Sequence, residues 1–316
     1  MSALITLTPN PALDLSTHVP RLVPSHKLRC GPALRHPGGG GINVARVLHR
    51  LGLPVQAWYL AGGPTGQTVQ QLLAAEGVPT LPLPIAGATR ENFSVIETDT
   101  GLEYRFVLPG PDVAACEWQD CLDRLTTLAE PPRWLVLSGG LAPGMPEDFY
   151  ARLVRALRPR GTRIALDSTG GALAAALQAG VEVVKPSLSE LRALTGQLLA
   201  TPAEWNAAAQ ALVRTGQAAW VALSLGAQGA VLAHADGLWH APALPVSAAQ
   251  GTTGAGDCVL AALVWALERG DAPPEALRWG IAAGTAALSA PGTALALRAD
   301  IERLAPGVRV AAVASP

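Results

Sequence analysis

Lysine is almost missing from this chain. Of its 23 basic residues only Lys27 and Lys185 are lysine, and asparagine is nearly as scarce, at Asn10, Asn43, Asn92 and Asn206. A lysine is a compact point charge and an arginine a planar fork, so two lysines in an arginine-rich chain are positions to weigh for function, with chance as the plain alternative. A surplus of either charge is missing too, since 23 Lys and Arg face 24 Asp and Glu. That excludes a generic nucleic-acid or anionic-membrane surface, which needs basic excess. No apolar run approaches the roughly 18 residues of a membrane span; the longest, at 258–267, is about half that. The first residues lack the basic start of a signal peptide and read directly as a strand. Cys30, Cys116, Cys121 and Cys258 show no CxxC spacing, which predicts reduced thiols and a cytoplasmic location.

Several motifs are absent as well. No GxGxxG follows the first strand, which argues against a dinucleotide-binding oxidoreductase. Neither the GxxxxGK[ST] phosphate loop nor the GxSxG serine elbow occurs. His18, His26, His36, His49, His234 and His240 show no zinc-ligand spacing.

What is present is a 316-residue chain, 49% hydrophobic, long enough for one large domain with a sizeable core. Apolar runs at 3–8, 55–61, 134–138, 163–167, 181–185 and 220–225 read as strands, near-continuous rather than alternating, as strands buried on both faces should be. Between them lie helix patterns at 42–51, 66–75, 118–129, 147–157, 172–179, 188–194 and 202–214, and two apolar helices close the chain at 255–268 and 274–289. Repeated β-then-α units predict a doubly wound α/β fold with a mainly parallel sheet. Two segments break that rhythm. Residues 92–108 read as a hairpin around Asp99-Thr100-Gly101, and 13–30 is helix-poor with Pro20 and Pro24. Together they predict a small accessory sheet that covers a site, pairs with another subunit, or does both.

Two glycine loops carry the strongest chemical signal. Gly38-Gly39-Gly40-Gly41 opens the helix that begins Ile42-Asn43-Val44-Ala45-Arg46. Glycines there let backbone N–H groups approach a ligand, with a flexible connector as the bland alternative. Gly251-Thr252-Thr253-Gly254-Ala255-Gly256-Asp257 runs straight into an apolar helix. Its unhindered first-turn N–H groups form a nest suited to charge developing on a phosphoryl group. Asp257 beside them would accept a proton from an attacking hydroxyl, or merely cap the helix. Asp167 ends a strand and Glu190 follows Lys185 closely; each would hold Mg²⁺ through water or serve as a cap. Ser224-Leu225-Gly226-Ala227-Gln228-Gly229 reads as strand–turn–strand, whose glycines admit a flat nucleotide or simply turn the chain.

Taken together, the motifs at 38–43 and 251–257 resemble those of the PfkB (ribokinase-like) family of sugar kinases, over essentially the whole chain. Within that family the branch that phosphorylates fructose 6-phosphate is the most similar, through 38–46, Lys27-Leu28-Arg29-Cys30, Tyr104-Arg105-Phe106 and Ser224-Leu225-Gly226. Fructose-1-phosphate and tagatose-6-phosphate kinases share the framework, including Thr8-Pro9-Asn10-Pro11-Ala12-Leu13-Asp14. The resemblance implies a single ribokinase-like kinase domain over 1–316, a β-lid from about 13–35 and 89–109, and a homodimer clasped through the lids. It implies a glycolytic transfer from MgATP to a phosphorylated ketohexose, fructose 6-phosphate giving fructose 1,6-bisphosphate, with 1-phosphofructokinase or tagatose-6-phosphate kinase as alternatives. K⁺ near the Asp257 helix is a further implied ion.

By matching positions, Asp257 resembles the family's catalytic base, with Gly254, Ala255 and Gly256 as its anion hole. Asp14, Gly39, Gly40, Gly41 and Asn43 would hold sugar hydroxyls, and Lys27, Arg90 and Arg105 the phosphate already on the substrate. Lys185, Ser224, Gly226 and Gly229 would belong to the ATP side, with Glu190 toward Mg²⁺. Two positions depart from the family pattern: Ser187 replaces the Asn of an Asn-x-x-Glu magnesium motif, and Gly140 stands where close relatives carry a substrate-contacting Ser. In a loose phosphoryl-transfer transition state an Asp of ordinary pKa, near 4, accepts the proton late. Two other readings are a non-catalytic sugar-phosphate or nucleotide binder on the same scaffold, and a ribokinase or nucleoside kinase. The lid cations favour a phosphorylated acceptor over the latter.

Overall fold

The computed structural model describes residues 4–246 and 253–313. Ala3 of the first strand, and Gly251 and Thr252 of the second glycine motif, lie outside the described residues. The amino-terminal half runs β1 (Leu4–Thr8), β2 (Ala12–Val19), β3 (Leu34–Gly38), α1 (Gly40–Arg50), β4 (Val55–Ala61), α2 (Gly63–Ala75), β5 (Thr80–Pro84), β6 (Arg90–Glu97) and β7 (Glu103–Val107). Next come α3 (Ala115–Thr126), β8 (Trp134–Ser138), α4 (Phe149–Leu157), β9 (Arg163–Asp167), α5 (Gly170–Ala179), β10 (Val181–Val184), α6 (Leu188–Thr195) and α7 (Pro202–Arg214). The chain closes with β11 (Ala218–Ser224), β12 (Ala230–His234), β13 (Gly237–Ala241), α8 (Ala255–Glu268), α9 (Pro273–Leu288), α10 (Arg298–Leu304) and β14 (Ala311–Ala312).

Strands without polar alternation need cover on both faces, and the larger sheet has it. Its ten strands run β14-β13-β12-β11-β10-β9-β8-β1-β4-β5. It is parallel from β11 to β5 and antiparallel from β11 through β14. Successive residues of β8 serve opposite cores. Trp134 and Val136 pack with α1, α8 and α9, while Leu135 and Leu137 pack with α4 and α5. The expected doubly wound α/β architecture is therefore present. None of the helices among the described residues is long and apolar enough to cross a membrane.

A second sheet of four strands has the order β3-β2-β6-β7. β2 and β6 run parallel, placing Asp14 opposite Asn92, and the 92–108 segment folds as the expected hairpin with β6 and β7 antiparallel. The Asp99-Thr100-Gly101 turn closes through a bond from the Gly101 N–H to the Glu97 carbonyl, at 2.8 Å. Sequence periodicity misses β3 and β5. Pro37 lies in the first and Pro82 and Pro84 in the second, and prolines are tolerated there because both strands sit at sheet edges.

Candidate active site

The C-terminal ends of β1, β8, β9 and β10 point to one edge of the large sheet, where open α/β sheets bind ligands. Helix α8 starts at this edge. Gly254, its N-cap, has φ +83°, a left-handed conformation that disfavours side chains, and a Cβ there would collide with the Leu295 side chain. Asp257 follows in the first turn, at the positive end of the helix dipole. It borders a cavity of about 210 Å³ together with Asp14, Gly39, Asn43, Arg90 and Arg105.

Asn43 Nδ2 donates to Asp257 Oδ2 at 2.9 Å. Burial, reinforced by the nearby Asp167 carboxylate, pushes the Asp257 carboxyl up to about 7, although the Asn43 bond and Lys185 oppose the rise. The expectation of an ordinary value near 4 is therefore corrected. A sequence shows the residue type but not the desolvation and like charge that set its proton affinity.

Lys185 is buried and pairs with Asp167 at 3.0 Å. Burial disfavours its ammonium, but Asp167, Asp257 and Glu190 outweigh that and hold its pKa above the usual lysine value. Its Nζ would lie 3.1 Å from a Cβ at Gly256, so the glycine lets the ammonium approach the helix start. Asp167 thus serves this ion pair through one oxygen of its carboxylate. Glu190 is engaged too: its Oε2 accepts from the Ser187 N–H at 2.7 Å and the Ser187 hydroxyl at 2.8 Å, a capping box opening α6. The capping alternative for Glu190 is realised, using one oxygen of the carboxylate. Ser224 lies beside it through a backbone bridge to Ser187, and its hydroxyl donates to the Pro186 carbonyl at 3.3 Å. Gly226 and Gly229 turn the chain at φ +60° and +91°, and a side chain at Gly229 would strike the Ala241 carbonyl.

On the other side of the cavity, Asp14 accepts from Asn92 Nδ2 at 2.9 Å and from the Thr293 hydroxyl at 3.3 Å. Burial raises its pKa, while these bonds and the positive charges of Arg105 and Arg90 pull it back. Arg90 is half-buried; its guanidinium donates to the Leu108 carbonyl at 2.9 Å and the Asn10 carbonyl at 3.1 Å, while its buried Nε has no protein partner. Arg105 is exposed at the cavity rim.

The first glycine loop works partly through packing. Side chains at Gly39 or Gly41 would collide with Thr8, at Gly40 with Ser138 and at Gly38 with Asp14. Gly39 and Gly40 line the cavity; Gly41 is buried within α1. Gly140 is exposed with open space around its missing Cβ.

The structure thus brings together at the cavity Asp257, Gly254, Asp14, Gly39, Gly40, Asn43, Arg90 and Arg105, with Lys185 behind. Lys27 is not among the lining residues: it is exposed in the connection between β2 and β3. Asn92 and Thr293 were missed. The scarcity that singled out the lysines applies to Asn92 equally, and three of the four asparagines, Asn10, Asn43 and Asn92, bond or pack around the site. Thr293 carries no local signal, because it reaches Asp14 across 279 positions. No group of three or more His, Cys, Asp or Glu among the described residues could hold a metal by itself.

Comparison with known proteins identifies the family. Residues 12–300 match the family described as pfkB family carbohydrate kinase. The ATP-dependent 6-phosphofructokinase isozyme 2 of Mycobacterium tuberculosis is 44% identical over 300 residues, covering 95% of this chain and 88% of that protein. A 1-phosphofructokinase from Haloferax volcanii is 35% identical over 291 residues, covering 92% of each. The phosphofructokinase-2 of Escherichia coli, solved with substrates and products, superposes with a TM-score of 0.92 at 37% identity, over 96% of this chain and 99% of that one. The same enzyme in complex with potassium gives 0.91, again at 37% identity, over 97% and 99%. Ribokinase-like in fold and related in sequence over nearly its full length, the chain belongs to the pfkB family of carbohydrate kinases.

Proposed function

We propose that this kinase phosphorylates fructose 6-phosphate from MgATP to give fructose 1,6-bisphosphate, a glycolytic reaction in the cytoplasm. The observation that carries this reading is one cavity bordered by both the Asp257 carboxylate and two arginine forks, Arg90 and Arg105. Arginine forks suit a phosphate already on the acceptor, and an uncharged sugar needs neither. Asp14 accepts a bond from a sugar hydroxyl, and its fixed orientation comes from Asn92 and Thr293. Asp257, with its pKa near 7, takes the proton of the attacking hydroxyl, an effect of roughly 10²–10⁴ in rate. The N–H groups of Gly254, Ala255 and Gly256 face the transferring phosphoryl group, and Lys185 adds a full positive charge beside them.

The nucleotide side comprises Lys185, Ser224, Gly226 and Gly229. The donor set there fits Mg²⁺, which takes few protein carboxylates and is held largely by phosphate oxygens and water. Glu190 would hold it through water with the oxygen that Ser187 does not use, and the ion would neutralise phosphate charge. K⁺ is an activating ion in the same proposal, by likeness to the Escherichia coli relative crystallised with potassium.

The small sheet, within about 13–35 and 89–109 of a single kinase domain, is the lid. Its hairpin exposes Phe93, Tyr104 and Phe106 on one apolar face, which a second copy covers in a homodimer, while Val107 lies on the opposite face with Arg105 beside the cavity. Lys27, outside its own cavity, receives a substrate phosphate only across that pairing.

The test is ADP release with MgATP against fructose 6-phosphate, fructose 1-phosphate, tagatose 6-phosphate, fructose and ribose. A kcat/KM highest for fructose 6-phosphate is the expected result. A higher value for fructose 1-phosphate or tagatose 6-phosphate moves the reading to those kinases and makes the open space at Gly140 the first suspect. No turnover with any sugar moves it to a non-catalytic binder.

A further inference from the structure

Two arginines of α1 lie outside the cavity yet hold its walls. Glu76, just beyond α2, takes both: Arg46 at 2.7 Å and Arg50 at 2.9 Å. Arg46 is only 1% exposed, and buried ion pairs are a poor route to stability, since an apolar packing of similar volume often does as well. The remaining donors show what this pair does instead. Arg46 Nη1 donates to the Thr293 carbonyl at 2.9 Å and the Pro37 carbonyl at 3.2 Å, and approaches Asn43 Oδ1 at 3.5 Å. Arg50 Nη1 donates to the Ala294 carbonyl at 2.7 Å and the Ala296 carbonyl at 3.2 Å.

Residues 293–296 bridge the two halves of the site. Thr293 donates its hydroxyl to Asp14, while the Leu295 side chain packs in the space left by Gly254 at the start of α8. Leu295 has φ +63°, a conformation uncommon for a residue with a side chain, and Arg50 grips the carbonyls on either side of it. The Asn43 amide is sorted by charge. Reversed, it would present its carbonyl oxygen to the Asp257 carboxylate and its NH₂ to the Arg46 guanidinium, and both contacts would repel.

We propose that Arg46 and Arg50, neutralised by Glu76, are positioning residues that clamp segment 293–296 between Asp14 and the start of α8 and fix the Asn43 amide toward Asp257. The catalytic half of this inference rests on the role given to Asp257 above; the clamp itself does not. Hydrogen–deuterium exchange separates them. Arg46→Lys keeps the charge but loses the fork, and Arg50→Ala leaves the Arg46–Glu76 pair intact. Each should speed exchange across 293–297 at least tenfold while β8 is unchanged. Unchanged exchange there overturns the clamp, even if the protein turns over no sugar.

With an active wild type, Arg46→Lys should lower kcat/KM for the sugar phosphate at least tenfold and leave KM for MgATP within twofold. It should also displace the acid limb of the pH profile upward. Asp257 is faced by Asp167 at the end of β9, Lys185 after β10, Asp14 of β2 and Asn43 of α1, and of these only Asn43 touches Arg46. In an Asn43→Ala background, Arg46→Lys should therefore move the limb no further. An equal displacement there, or lost activity with an unmoved limb, overturns the orienting role. Should Arg46→Lys not fold, Arg50→Ala carries the kinetic test with an expected threefold loss in kcat/KM for the sugar phosphate, and unaltered kinetics overturn the inference.

Discussion

The two sheets of this kinase are built on opposite terms. Every residue of β8 is buried, and its successive side chains enter two separate cores. In β7 four of the five residues are exposed, among them Phe106 at 52% and Val107 at 58%. The large sheet and the helix packed on it hold Asp167 and Asp257, both partly buried, around the buried Lys185. The small sheet carries Asp14, Asn92, Arg90 and Arg105, groups suited to recognising a substrate. Rigid, buried elements set proton affinities, whereas sparsely packed ones have low local stability and are free to open and close. The division predicts that chemistry and recognition can be damaged separately.

Asp257→Asn is the sharpest way to break that division. It should lower kcat by about 10²–10⁴ while substrate Kd, set by the small sheet, stays within a few-fold. Rapid-quench turnover beside equilibrium sugar-phosphate binding measures both. A large loss of affinity with little loss of kcat would mean that Asp257 serves binding instead.

Stability should divide along the same line. Trp134→Ala empties a fully buried site at the centre of the large sheet and should cost about 3–5 kcal/mol. Phe106→Ala, on the exposed hairpin, should change urea stability by no more than about 0.5 kcal/mol, yet weaken self-association in sedimentation experiments. Equal destabilisation by both would show the small sheet to be an integral part of the core. Recognition is the next, smaller effect. Losing one charge-assisted bond, of about 1.5–3 kcal/mol, Arg105→Ala should raise KM for a sugar phosphate roughly 10–100-fold and leave turnover of the free sugar unchanged. Parallel losses on both substrates would assign Arg105 to folding or to the lid's own structure.

How much was legible beforehand follows the same physics. The continuous apolar runs of β1, β4, β8, β9 and β10 announce strands covered on both faces, and α7 and α8 have the bounds their patterns suggest because caps and glycines mark their starts. The edge strands β3 and β5 were not visible, since prolines at an edge look like breaks when the neighbouring strand is unknown. At the site, both glycine loops are readable as loops that need glycine, but the sequence does not show that Gly39, Gly40 and Gly254, besides bordering the cavity, leave room for Thr8, Ser138 and Leu295. Asn43 borders the cavity as expected of a sugar-side residue, but its bond to Asp257 has no sign in the sequence. Links of this kind, like Thr293 to Asp14, join residues more than 200 positions apart, and no local pattern encodes them.

The raised pKa of Asp257 gives the smallest predicted effect and the most specific one. A base must be unprotonated to act, so kcat/KM for the sugar phosphate, which reports the free enzyme, should fall as pH drops through about 7 and be about tenfold lower one unit below. The second ionisation of a sugar phosphate, expected near that of a phosphorylated side chain at about 6, could produce a similar limb. Asn43→Ala distinguishes them, because removing a bond that favours the charged carboxylate pushes the limb to higher pH, whereas a limb owned by the substrate stays in place. Stability supplies an independent check with the opposite trend. Burial makes the folded state hold the Asp257 proton to higher pH than the unfolded chain does, so its contribution is fully present below about pH 4 and is lost as pH rises through about 7. Asp257→Asn cannot ionise, so its Tm should exceed that of the native protein at about pH 8, with the gap narrowing toward pH 4. A gap independent of pH would place the proton affinity of Asp257 back at its ordinary value, and the large sheet would then position the base without tuning it.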